Sequence, residues 1–307
     1  MIDRRIKFRH VQCFVEIARH RSLKRAADRL FLTQPAISKT LKELEDILGA
    51  QLLNRSRAGV TLTREGDVFL QFAEMSVGAL QQGIDGVGQV SAAGGQTLTV
   101  GALPSVAAWL LPVVVREMAE VAPDVVLRVL DGPHAYLVDR LRQGALDLVI
   151  GRLGAPETMQ QLSFTQLYNE HVEFVVRPGH PILNDPRLER IAEWPVVYPS
   201  PGSAILPLVE RFLIANGMGD LPRKIETVSG AFGRVHVRNS DAVWIISAGV
   251  VANELAEGRL VRLPIDTALT RGPVGLMARP DEDPSPPQRL FRIAVNRALE
   301  ELGLVGS

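Results

Sequence analysis

The chain has 307 residues, 46% of them apolar, with 34 basic and 34 acidic side chains and one cysteine. That is about twice the ~150 residues of a typical domain and apolar enough for ordinary cores, which excludes a disordered tail, a collagen-like fibre and a disulfide-stapled miniature. Cys13 alone can form neither an internal disulfide nor a zinc finger, the apolar runs fall short of the ~20 residues of a membrane span, and no apolar stretch follows the first five residues, so a cytoplasmic protein without a secretory signal is expected.

The overall charge of zero conceals an asymmetry. Residues 1–66 carry 14 Lys and Arg against 7 Asp and Glu, and the remainder is acidic to the same extent. A small basic head on an acidic body points to a nucleic acid or another anionic surface.

From Phe8 the residues Phe8, Val11, Phe14, Val15 and Ala18 recur at helical spacing, with Cys13 off the centre of the stripe as a packing residue. Ser22 is placed to cap a second helix, Leu23–Leu30, in which Ala26, Ala27 and Leu30 face inward. Thr33 is placed to cap a third, with Pro35 in its first turn, Ile37, Leu41, Leu44 and Leu48 along one side and Gly49 as its stop. The opposite side of that helix carries Gln34, Ser38 and Lys42 four residues apart, with Lys39 beside them. These side chains suit base edges and phosphates, and the position suits a helix that reads the major groove. An amphipathic hairpin with a solvated outer face would show the same spacing.

Residues 51–62 alternate and turn near Ala58 and Gly59, with Arg55 and Arg57 at the turn, which predicts a basic β-hairpin or wing against phosphate or the minor groove. Thr63 then opens a longer helix in which Phe69, Phe72, Met75, Ser76, Leu80, Ile84 and Val87 form a stripe. A second copy of the helix is its expected cover.

Phe14, the Ala26-Ala27 pair, the run 32–38 (Leu-Thr-Gln-Pro-Ala-Ile-Ser), Leu44-Glu45, Leu48-Gly49 and Leu62-Thr63 with Gly66 together resemble the LysR-type transcriptional regulators. The departures, Leu53 where Phe is frequent and Arg64-Glu65 before Gly66, touch nothing on the reading face. The resemblance implies an α/β protein in three parts: a winged helix-turn-helix over 1–63, a linker and dimerisation helix over 64–96, and a two-lobed effector domain over 97–307 similar to periplasmic solute-binding proteins. It implies a homo-oligomer built as a dimer of dimers on a dyad-symmetric promoter site. Thr33, Gln34, Pro35, Ser38, Lys39, Lys42, Arg55 and Arg57 are the expected DNA contacts, and RNA polymerase is a candidate partner. Within the family, residues 1–12, 38–45, 55–60 and 240–244 look like those of an activator of protocatechuate-degradation genes, which implies a carboxymuconate-type effector. Its subgroup also holds regulators of sugar uptake.

In the body, Gly83, Gly86, Gly88 and the run 91–95 suggest a loose linker over 86–96. Strands near 98–101, 125–130 and 146–151 alternate with helices over 103–121 and 135–143, and strands near 195–198, 225–228 and 242–247 alternate with helices over 203–215 and 231–237. This rhythm predicts two lobes of parallel α/β sheet, 97–166 and 167–268, with a last helix over 287–302 packed back on the first lobe. Ligands of such folds sit at the carboxyl ends of strands. There Ser105, Ser200 and Ser203 offer hydroxyls, and Arg152 and His134 offer fixed or switchable positive charge, which suits an anionic effector. Helix capping for the serines, an interlobe ion pair for Arg152 and an exposed turn for His134 explain these residues as well.

The sequence has no G-x-S-x-G, no phosphate-binding G-x-x-x-x-G-K and no H-x-x-x-H pair, so neither an enzyme nor a metal or cofactor is expected. A solute-binding protein without a DNA role is the alternative of a different class, and it would need export and no DNA reader, the reverse of what the sequence leads us to expect.

Overall fold

The computed structural model describes residues 3–56, 59–91, 96–280 and 283–304, and leaves the side chains of 55, 56, 79, 81, 82 and 85–91 undescribed. The chain divides into two compact units, one built on Met1–Val90 and one on Ser91–Leu141 with Ala145–Ser307.

In the first unit, α1 (Phe8–His20), α2 (Leu23–Leu30) and α3 (Gln34–Leu48) precede a hairpin of β1 (Leu53–Ser56) and β2 (Gly59–Leu62), and α4 (Arg64–Ser91) follows. The expected caps form: the Ser22 hydroxyl accepts from Arg25 N–H, Thr33 from Ala36 N–H and Thr63 from Gly66 N–H. Phe14, Ile17, Ile37, Leu41, Leu44 and the Ala26-Ala27 pair make the core, where the alanines let α2 pack closely. Cys13 is in this core, as expected of a packing residue, and burial pushes its thiol up to about 11. Phe8, placed on the stripe by its spacing, is instead exposed, and Ile17 fills the core.

The helix α4 divides its apolar residues. Phe69, Leu70, Ala73 and Val77 pack on the core, Phe69 edge-on to Phe14 at 5.3 Å, while Val68, Phe72, Leu80 and Ile84 stay exposed. It also runs to Ser91, through the glycines expected to loosen a linker. Each glycine weakens a helix by only ~1 kcal/mol, and no proline or cap interrupts the hydrogen-bond ladder. The rest of the expected linker, 92–95, lies outside the described residues.

In the second unit β3 (Thr97–Ala102) leads to α5 (Pro104–Ala108) and α6 (Leu110–Val121), then β4 (Val126–Asp131), α7 (His134–Arg142), β5 (Leu148–Arg152) and β6 (Ser163–Glu170). The chain crosses into the second lobe at β7 (Val172–Val176) and continues through β8 (Val196–Tyr198), α8 (Leu206–Ala215), β9 (Lys224–Glu226), α9 (Gly230–Arg238), β10 (Val243–Ser247), α10 (Ala248–Ala256) and β11 (Val261–Arg262). It returns to the first lobe as β12 (Gly272–Ala278) and α11 (Pro286–Glu301), whose Phe291, Ala294, Val295 and Ala298 join that lobe's core as expected of the last helix. The sheets run β4-β3-β5-β12-β6 and β11-β7-β10-β8-β9.

Three expectations need correction. The sheets are mixed, because the strands that carry the chain between lobes, β6, β7 and β12, pair antiparallel with their neighbours. The first lobe therefore includes the returning strand β12 (Gly272–Ala278), which the sequence rhythm assigned to neither lobe. The helix over 103–121 is broken at Trp109, because Pro112 has no N–H for the carbonyl of Ala108, which accepts from Asn253 instead. Likewise α8 begins at Leu206 rather than 203, since Pro207 fits only a first turn and 200–205 form turns before it.

A methyl group on Gly66 would run into the Leu52 carbonyl, which the N–H of Thr63 already occupies. We expect Gly66→Ala to destabilise the first unit by about 1–3 kcal/mol. Calorimetry of the full chain should show the transition of that unit move down in temperature while the other stays in place.

Candidate DNA-reading surface and effector cavity

At the start of α3, Thr33 is spent on the cap while Gln34 and Pro35 are exposed, as are Lys39 and Lys42; Ser38 is half-buried between them. The structure therefore leaves Gln34, Ser38, Lys39 and Lys42 along the outer side of α3, while Ile37, Leu41 and Leu44 are buried. The base of the wing is fixed by a residue whose role the pattern did not reveal. One Glu45 carboxylate oxygen accepts from the N–H groups of Leu52 (2.8 Å) and Leu53 (3.2 Å), tying the hairpin to α3. Arg57 lies outside the described residues, and of Arg55 only the backbone, paired with Val60, is described.

In the second unit the ends of β3, β4 and β5 face those of β8, β9 and β10 across a cavity of about 50 Å³. Ser105, His134 and Arg152 of the first lobe and Ser203, Thr227 and Ser247 of the second line it, among apolar residues such as Leu103, Ile205, Ile246 and Val250. Four of the five serine, histidine and arginine positions expected at the cleft thus meet there. Ser200 does not line it; its carbonyl accepts from Ser203 N–H in the turn before α8. The Ser203 hydroxyl is buried without a hydrogen-bond partner among the described residues.

Arg152 is not a free cation. Its guanidinium donates to the carbonyls of Glu170 (2.8 Å) and Thr270 (3.2 Å) and lies 3.6 Å from the Glu170 carboxylate, with both side chains buried. Glu170 in turn accepts from the N–H of Gly249 at the start of α10 (2.8 Å). A Cβ at Gly249 would press on this carboxylate, and one at Gly272 on the guanidinium, so glycine at both positions makes room for the pair. Thr270 adds a bond from Val172 N–H (2.9 Å), so both interlobe crossovers are fastened to one ion pair. Burial pushes the Glu170 carboxyl above the usual range, opposed by Arg152, the Gly249 N–H and the Ser105 hydroxyl. The same burial lowers Arg152 and raises Tyr168. The ion pair expected between the lobes instead forms within the first lobe, between the ends of β5 and β6 where the chain crosses over, and the Arg152 Nε makes no hydrogen bond among the described residues.

Removing one partner of a buried pair strands the other charge, at a cost of about 3–5 kcal/mol. Arg152→Met should therefore destabilise the second unit, and Arg152→Met/Glu170→Gln should recover much of the loss. Without Arg152, the folded-state pKa of Glu170 rises further above its unfolded value. Stability of the single variant should thus be greatest below the ordinary glutamate value of 4.5 and be lost as pH rises through the raised one, whereas the double variant should lack this dependence. Thermal melts across pH 4–8 measure both.

Comparison with known proteins identifies the family of both parts of the chain. The family described as "Bacterial regulatory helix-turn-helix protein, lysR family" matches residues 8–67, and "LysR substrate binding domain" matches 92–300. The HTH-type transcriptional regulator PcaQ of Agrobacterium fabrum is 48% identical over 98% of each chain, and the regulator YdcI of Escherichia coli is 33% identical over 97% of this chain and 98% of its own. Among solved structures, ArgP from Mycobacterium tuberculosis superposes with a TM-score of 0.62 at 17% identity (94% and 96% covered), and the LysR family regulator CbnR with 0.61 at 19% (95% and 99%). With a LysR-type reader at one end and a LysR-type substrate-binding domain over the rest, the chain belongs to the LysR family of DNA-binding transcriptional regulators that respond to small-molecule effectors.

Proposed function

We propose that this regulator activates genes for the degradation of an aromatic acid of the protocatechuate type, switched by an anionic, carboxymuconate-type effector in the interlobe cavity. The observation that carries the pathway is the 48% identity to PcaQ across 98% of both chains. The chemistry of the cavity supports an acid held on an apolar body: the Ser203 hydroxyl and the unspent Arg152 Nε, beside the His134 ring and a Ser105 hydroxyl shared with Glu170, stand among aliphatic side chains. Its volume of about 50 Å³ is well below the ~300 Å³ at which small-molecule sites usually begin, so the lobes must part at the two crossovers to admit such a ligand. A ligand that favours one arrangement of the lobes shifts the regulator toward it.

The chain works in three parts, 1–63 as reader, 64–96 as the helix that pairs copies and 97–307 as effector body, and it acts as a regulator and not as an enzyme. Gln34, Ser38, Lys39 and Lys42 meet the DNA with Arg55 and Arg57 of the wing, while Thr33 and Pro35 shape the start of α3. The exposed Val68, Phe72, Leu80 and Ile84 of α4 support pairing with a second copy. Leu80→Glu should then yield monomers by light scattering, with weaker DNA binding because two linked half-sites act at a high effective concentration. An unchanged oligomer would remove this face from the interface.

Calorimetric titration of the full chain with protocatechuate, carboxymuconate and galactose tests the effector. We expect the acids to bind and Ser203→Ala to weaken them about ten- to a hundredfold, the worth of a hydrogen bond to a charged group. Binding of the sugar alone would turn the assignment to the sugar-uptake regulators of the subgroup.

A further inference from the structure

The turn between α2 and α3 holds a side chain that neither core nor cap explains. Phe31 ends α2 in the left-handed region, with φ of 56° and ψ of 38°, and its N–H closes the helix onto the carbonyls of Ala27 and Asp28. Glycine or asparagine suits such a position, as Gly49 does at the end of α3, whereas a bulky L-residue is strained there. Its ring is also 95% exposed, with Leu32 beside it at 49%. Backbone and solvation therefore both disfavour phenylalanine at this point.

The surroundings indicate what the ring meets. Arg21, Lys24, Arg25 and Arg29 are exposed on the segment before it, with Asp28 the one exposed acid among them, so the patch complements a polyanion. Thr33, Gln34 and Pro35 follow at once, which makes the ring continuous with the surface assigned to the DNA. The major groove displays one apolar group, the C5-methyl of thymine. We propose that Phe31 is a base-reading residue that packs its ring on a thymine methyl at the edge of the bases faced by Gln34. The inference rests on the reading that the start of α3 enters the major groove.

The test uses the full chain and a duplex selected by the wild-type protein from a random pool, with each thymine of the half-site replaced in turn by uracil, which lacks only the methyl. At one position the wild type should lose about three- to tenfold in affinity on uracil. Phe31→Asn should bind the thymine duplex about as weakly as that, show no difference between thymine and uracil there, and melt at or above the wild-type temperature. Wild-type affinity in Phe31→Asn, or an equal loss on thymine and uracil at every position, would overturn the proposal. A loss of oligomer in Phe31→Asn by light scattering would overturn it in favour of a second copy as the partner. Gln34→Ala separates the two levels: unchanged affinity and base preference in that variant would sink the placement of α3 itself, and with it this inference, whereas altered preference there beside a normal Phe31→Asn would sink the inference alone.

Discussion

A charge taken out of water must be met by other charges and dipoles, and the effector unit meets that demand where its lobes join. Arg152 and Glu170 are both buried, and backbone supplies further partners: the carbonyls of Glu170 and Thr270 for Arg152, the N–H of Gly249 for Glu170. Glu170 and Thr270 belong to the two segments that join the lobes, and Gly249 opens a helix of the second lobe. The pair therefore sits where the chain passes between the lobes, and glycine at 249 and 272 leaves room for it. Such pairs contribute little net stability, because desolvation offsets the attraction. What they contribute is a defined geometry, since a buried charge tolerates few positions for its partners.

The cavity inherits its character from this arrangement. Its permanent cation is already balanced by Glu170, so the polar capacity left for a ligand is modest and directional: the Ser203 hydroxyl and one guanidinium N–H, set among aliphatic side chains. A ligand anion placed beside Arg152 competes with Glu170 for the same guanidinium. An effector bound there would draw on the same atoms that fasten the crossovers. That is the differential contact an effector needs if it is to shift a population.

The reader unit depends on ordinary packing. A small core of Phe14, Ile17, Ile37, Leu41 and Leu44, completed by Phe69 from α4, holds α3 so that its polar face stays outside. Glu45 extends that rigidity to the hairpin through two backbone N–H groups. The helices are short and their caps are side-chain oxygens or left-handed residues, so small local features decide where the reading surface begins. Phe31 lies at one of those points.

Where chemistry is local, the sequence alone determined the outcome. Ser22, Thr33 and Thr63 as caps, Gly49 as a stop and the 3.6-residue spacing of Ile37, Leu41 and Leu44 define the helices of the reader, because capping and amphipathicity involve residues a turn or two apart. The strand–helix rhythm likewise revealed two lobes, and the position of polar residues at strand ends brought Ser105, His134, Arg152 and Ser203 to one cleft. Long-range pairing was not legible. The antiparallel return of β12, the breaks imposed by Pro112 and Pro207 within otherwise helical patterns, the exposure of Phe8 and the persistence of α4 through its glycines each depend on what neighbouring elements supply. The same holds for Arg152. Its position predicted a cation at the cleft, but its partner Glu170 is 18 residues away and Thr270 is 118, and only the crossing of both segments at one point decides whether that charge is free or already paired.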